Sequence, residues 1–179
     1  VASAFVDASV ITAAPGGWAS VPVTSPFGNQ VRYIGAEPSG SVNAGTPDEQ
    51  ARFQYTFRTT FNIAAGDVPF AQLVLNPFRI DNYWVGYVLN GGPLQTGGIS
   101  PTPAPPTGGN WTTPFTVAIN SGFQAGTNTL DIVITGNGRT DGLLLDGRVN
   151  VVPEPSTYAL MATGLAGLGA LVRRRRVQG

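Results

Sequence analysis

Six carboxylates stand in segments that read as turns: Asp48, Glu49, Asp67, Asp81, Asp141 and Asp146. Two such groups flanking a bond could act as general acid and base. A turn aspartate more commonly accepts backbone N–H groups or solvates its loop, and no enzyme activity is expected of this set. The chain has no histidine and no cysteine. A Ser-His or Cys-His nucleophile pair is excluded, as are imidazole and thiolate metal ligands and any disulfide. A third chemistry open to these residues is sugar binding, which needs an aromatic platform with planar polar groups beside it. Tyr83, Trp84 and Tyr87 lie in one apolar run, Asn90 follows it, and Trp111 borders a proline-rich stretch. Tyr83, Trp84, Asn90 and Trp111 are the candidate carbohydrate contacts. In a regular strand Tyr83 and Tyr87 share one face and Trp84 takes the other, so one set must be core.

The elements that would position these groups are strands. Residues 51–63 give the clearest pattern: Phe53, Tyr55, Phe57, Phe61 and Ile63 alternate with Arg52, Gln54, Arg58, Thr60 and Asn62. Period two over this length predicts a half-buried strand with its odd positions toward the core. Residues 71–75 predict another strand, stopped by Asn76-Pro77. Residues 82–89 predict a third, ending at the hairpin signal Asn90-Gly91. Phe115, Val117 and Ile119 alternate, as do Leu130, Ile132 and Ile134, and residues 143–152 close the set. Between them, residues 97–110 read as a Pro/Gly loop, 121–128 as a compact turn and 136–142 as a hairpin-like loop. Residues 1–50 read as strand-poor, with short candidates at 5–11, 18–23 and 31–34 and a long loop over 35–50. Nothing before Pro153 has helical periodicity. The expected fold is all-β, a β-sandwich or jelly roll over residues 1–152, followed by a single C-terminal apolar helix.

Composition narrows the partners. The net charge of zero hides an asymmetry: residues 1–152 carry six arginines against nine acids, a net charge of −3, while four arginines lie in the tail. Nucleic acid and anionic lipid are therefore poor partners for the large domain. Only 11% of residues are charged, and Gly, Asn, Thr and Ser supply the polarity. That suits an extracellular layer or matrix protein. Val1-Ala2-Ser3-Ala4 has the small-x-small pattern that signal peptidase reads, with no apolar region before it.

Residues 153–179 are built differently. Val152-Pro153-Glu154-Pro155-Ser156 is followed by an uncharged apolar run over residues 157–172 and then by Arg173, Arg174, Arg175 and Arg176. The run includes Thr157, Leu160, Gly164, Leu165, Gly167, Leu168, Gly169, Leu171 and Val172, apolar all round, with a small-residue face at Gly164, Gly167 and Gly169. It has 16 residues, against the ~20 of an ordinary spanning helix, so a thinned bilayer or outward-reaching arginine stems are required. The arginine cluster stays cytoplasmic and puts everything before Pro153 on the outer side of an inner membrane.

This three-part tail resembles the PEP-CTERM sorting domain at every step. The resemblance implies export, recognition by an exosortase-type transpeptidase, and removal of the tail near the motif, in a Gram-negative bacterium that makes exopolysaccharide. Residues 64–152 resemble a galactose-binding-like jelly roll, through Ala71-Gln72-Leu73-Val74-Leu75, Ile80-Asp81-Asn82, Val88-Leu89-Asn90-Gly91, residues 115–119, residues 123–130 and Gly142-Leu143-Leu144-Leu145. In that last-but-one segment Gly126 permits a tight turn and Asn128 can bond back to the backbone. Jelly rolls of this kind often hold a structural calcium, here through Asp81, Asn137, Asp141 and Asp146; no other cofactor is expected. The expected function is a non-enzymatic surface or matrix protein, transiently anchored in the inner membrane. Two further readings belong to other classes. One is a self-assembling subunit of an extracellular filament or layer, with the tail retained and buried between subunits of the homo-oligomer. The other is a carbohydrate-binding module that tethers exopolysaccharide.

Overall fold

A computed structural model describes the chain over residues 8–12, 22–35, 53–81, 83–97, 99–100, 110–136, 141–151 and 163–165. The strands are β1 (Ser9–Val10), β2 (Val23–Thr24), β3 (Gln30–Val31), β4 (Ile34–Gly35), β5 (Phe53–Ile63), β6 (Ala71–Asp81), β7 (Tyr83–Leu89), β8 (Ile99–Ser100), β9 (Asn110–Ile119), β10 (Gly126–Gly136) and β11 (Gly142–Val151). They form a six-stranded sheet in the order β1-β4-β11-β6-β9-β8, a three-stranded sheet in the order β5-β10-β7, and the two-stranded ribbon β2-β3. Every pairing is antiparallel. The described fold is thus all-β, as expected.

The alternation in sequence becomes the division between core and solvent. Leu73, Leu75, Phe78 and Ile80 of β6, Phe115, Val117 and Ile119 of β9, and Leu143 of β11 meet Leu89 of β7 and Leu130, Ile132 and Ile134 of β10 in one core. The two larger sheets therefore face each other. Each such aliphatic or aromatic side chain stabilises the fold by roughly 1.5–3 kcal/mol relative to exposure. β5 pairs with β10 over its whole length, Gly126 opposite Ile63 and Gly136 opposite Phe53. Its odd residues Tyr55, Phe57 and Phe61 pack against this core but are only half-buried, since β5 is the last strand of its sheet among the described residues. A second cluster of Ile11, Tyr33 and Leu144, with Val23 and Val31, lies on the other face of β11. The β2-β3 ribbon covers that outer face.

Several sequence expectations are corrected. β6 does not stop at Asn76-Pro77; it runs on to Asp81 through a cis Asn76–Pro77 bond. The ladder shifts register there against both β9 and β11. A proline costs a strand one ladder donor, and an irregularity of this kind is where a sheet can accept that loss. The loop expected over 97–110 contains β8 and the first residue of β9. The link over 136–142 is not a hairpin, because β10 and β11 belong to different sheets. The strand expected at 31–34 is two, β3 and β4, on either side of Arg32-Tyr33. Of the long loop expected at 35–50, Gly35 belongs to β4 and the rest lies outside the described residues. Of the predicted apolar helix, only residues 163–165 are described; they are helical and exposed, Leu165 at 64%. Among the described residues no helix is long and apolar enough to cross a membrane.

Candidate functional site

Antiparallel pairing gives the sandwich two poles. At one, β11 ends at Val151 opposite Ala71, β9 ends at Ile119 opposite Leu73, and Ile63 meets Gly126. Three short connections close this pole. Residues 64–70 include a 3-10 turn at Val68–Phe70. Asn90 and Gly91, at φ 52° and 70°, make a tight reversal in which Gly92 N–H donates to Leu89 O at 3.0 Å. This is the left-handed pair that an Asn-Gly hairpin turn demands. Residues 120–125 join β9 to β10.

The last two connections are sewn together by side chains. Asn128, fully buried, donates to Gln124 O at 2.8 Å and Gly126 O at 3.1 Å, and accepts from Gln124 N–H at 2.9 Å. Asn90 donates to Asn128 Oδ1 at 2.9 Å and to Gly122 O at 3.0 Å, and its carbonyl accepts from Thr129 N–H at 2.9 Å. The backbone bond expected of Asn128 is present. Asn90, a candidate sugar contact, spends its amide on this turn instead.

The first residue of the sorting motif, Val152, follows the last paired residue of β11. The motif Val152, Pro153, Glu154, Pro155 and Ser156 lies outside the described residues, as do Thr157, Leu160, Gly167, Leu168, Gly169, Leu171, Val172 and the cluster Arg173, Arg174, Arg175 and Arg176. Gly164 and Leu165 are in the exposed helical turn.

At the opposite pole stand Asp81 and Gly142, Phe53 and Gly136, and the start of β9. Here the fold gathers ionisable groups. Asp141 is buried, and its carboxylate lies so close over Gly136 that a Cβ there would fall 2.1 Å from the carboxyl carbon. A side chain at that position would have to displace this carboxylate. Tyr55 Oη donates to Asp141 Oδ2 at 3.0 Å, and burial together with that carboxylate raises the Tyr55 hydroxyl above the usual tyrosine range. Asp81 is 7% exposed; burial, then the charge of Asp141, pushes its carboxyl up to about 7. Tyr33, 1% exposed, is raised above its usual range by burial, partly offset by Arg79 beside it. Sequence reasoning grouped Asp81 with Asp141 only as calcium ligands; Tyr55 and Tyr33 went unnoticed, since the members come from separate strands or their ends.

The four-residue calcium set is not assembled as expected. Asp81 and Asp141 are neighbours, Asn137 lies outside the described residues, and Asp146 is elsewhere. Five residues of strand separate Asp146 from Asp141, about 17 Å along the sheet, whereas calcium ligands lie ~2.3–2.6 Å from their ion. Asp146 instead pins the β2-β3 ribbon: Ser25 Oγ and Asn29 Nδ2 both donate to its Oδ2, the latter at 2.9 Å. Among the described residues no group of three or more His, Cys, Asp or Glu side chains is placed to hold a metal.

The aromatic expectation also changes. Ile134 faces Trp84, Val133 faces Gly86 and Ile132 faces Tyr87, so Val85 is an extra residue and the register shifts. A bulge moves the residues beyond it to the opposite face. Trp84 therefore joins Tyr87, their ring centroids 6.4 Å apart, and meets Phe78 edge-on at 5.3 Å. Both pack half-buried against the core, and Trp84 Nε1 donates to Thr96 O at 3.2 Å. Gly86 allows the close return of the chain, since a Cβ there would fall 2.4 Å from Gln95 O. Tyr83 is half-buried; Trp111 lies in β9, its side chain outside the described set.

Comparison with known proteins addresses the tail. Residues 151–176 match the PEP-CTERM protein-sorting motif. No curated protein and no solved structure matches the chain. By that motif the chain is marked for export, for a transient stay at a membrane, and for sorting by an exosortase-type system.

Proposed function

We propose that the chain is a non-enzymatic surface or extracellular-matrix protein of an exopolysaccharide-producing Gram-negative bacterium. Residues 1–152 form its working domain, a galactose-binding-like jelly roll, and residues 153–179 are a transit handle. One observation carries this reading. The last ladder pair of β11 is Val151 with Ala71, and the matched sorting motif begins at that residue. Cutting or exchanging the chain near Pro153 leaves every described strand and both cores intact. The absence of enzyme activity is supported by the use of the acids: Asp131 holds Arg58 in a two-point ion pair, Asp146 holds the ribbon, and Asp141 accepts from Tyr55.

The test is to replace Pro153, Glu154 and Pro155 together in the natural host. The chain should then stay full-length in the membrane fraction. Release of a shortened domain at the normal rate would refute the reading.

A further inference from the structure

The two poles differ in a way that bears on the membrane stage. The pole beside Val151 is closed by the connections 64–70, 90–97 and 120–125, which contain one charged side chain among them, Asp67. These residues are mostly exposed, Ala65, Leu94, Ser121 and Ala125 among them, Leu94 at 48%. The opposite pole holds Gly35, Phe53, Asn110, Gly136 and Gly142. Asp81 and Asp141, both buried, stand there with them.

Between the last paired residue and the apolar run stand five residues, 152–156. Fully extended they reach at most ~17 Å. β5, eleven residues long, spans about 37 Å from pole to pole. A chain held by its apolar run therefore keeps one pole close to the bilayer and carries the other well outside it. The near pole, with Asp67 the one charged residue of its turns, meets an anionic headgroup layer with little repulsion.

We propose that, while the tail is in the membrane, the turn-closed pole beside Val151 rests against the phospholipid headgroups, with the opposite pole turned outward. This rests on the sorting reading above. The five-residue tether sets the orientation, and the near-neutral turns make the contact tolerable. The sorting motif then lies between the bilayer and a folded, low-charge surface.

The chain has no cysteine, so single labels are clean. Exposed Ala65→Cys, Ala125→Cys and Gln54→Cys would each carry a fluorophore in the full chain. The chains would be reconstituted into phosphatidylethanolamine vesicles with a minority of phosphatidylglycerol and spin-labelled headgroups. Labels at 65 and 125 should be quenched several-fold more than the label at 54, which stands at the far pole. A long Gly/Ser spacer inserted after Val151 should abolish the difference. Vesicle-bound chains with equal quenching at all three sites would overturn the proposed orientation alone. A difference that survives the long spacer would show that the tether does not set it. Failure of the full chain to float with the vesicles would overturn the membrane stage itself, and the sorting reading with it.

Discussion

Asp81→Asn should make the domain more stable at pH 8 and less sensitive to pH. The folded carboxyl titrates at about 7, against an ordinary value of 3.8. Between those values the folded state holds a proton that the unfolded chain has released. Stability contributed by this group is therefore greatest at acid pH and is lost as pH rises toward 7, where the buried carboxyl must ionise beside Asp141. A gap of about three units at 1.36 kcal/mol each is about 4 kcal/mol, large against the 5–15 kcal/mol that holds a typical domain together. Asparagine has nearly the same shape and no charge to bury. Tyr33 and Asp141 face this site, Arg79 stands beside Tyr33, and none of the three is altered in the variant. The assay is urea unfolding of residues 1–152 at pH 5 and pH 8, with tryptophan fluorescence as the signal. Wild type should lose stability between the two and the variant should gain on it at pH 8. Superimposed curves, or a wild type that becomes more stable with rising pH, would refute the buried protonated carboxyl.

Asn128→Ala should cost roughly 2–4 kcal/mol, because it removes a fully buried amide with several partners and takes away one acceptor shared by the Asn90 amide and the Gln124 N–H; a loss under about 1 kcal/mol by thermal or urea unfolding would deny its role in joining the two turns. Phe57→Ala should cost about half of the 3–5 kcal/mol of a fully buried phenylalanine, since Phe57 is half-buried. Arg58→Ala, which breaks the exposed pair with Asp131, should cost at most about 1 kcal/mol. Equal losses in the two variants would place the β5 register off by one.

How far the fold could be read in sequence depended on where each strand lies. β5, β9 and β10 were legible because each has one face on the core and one on solvent, so burial writes itself as alternation. Val133 broke the rule, being buried on what should be the outward side of β10. β6 was cut short because Pro77 ordinarily ends a strand, and nothing local announces a ladder irregularity that tolerates it. The same blindness misplaced Trp84: one extra residue at Val85 reverses the face, and only the partner strand reveals it. The two-residue strands of the first 35 residues are defined by what they pair with, not by their own pattern. The sorting motif was legible because its pattern is contiguous in sequence. Asp81 and Asp141 lie sixty residues apart in sequence, and burial, which makes them unusual, is a property of the assembled sheets.

On the proposed function, the β domain is exported and parted from its tail near Pro153. The intact mass of the protein recovered from the host's surface and culture medium tests it directly. The expected species lacks the apolar run and the arginine cluster, residues 157–179, with β11 complete through Val151. Surface protein that retains Arg173, Arg174, Arg175 and Arg176 would contradict it.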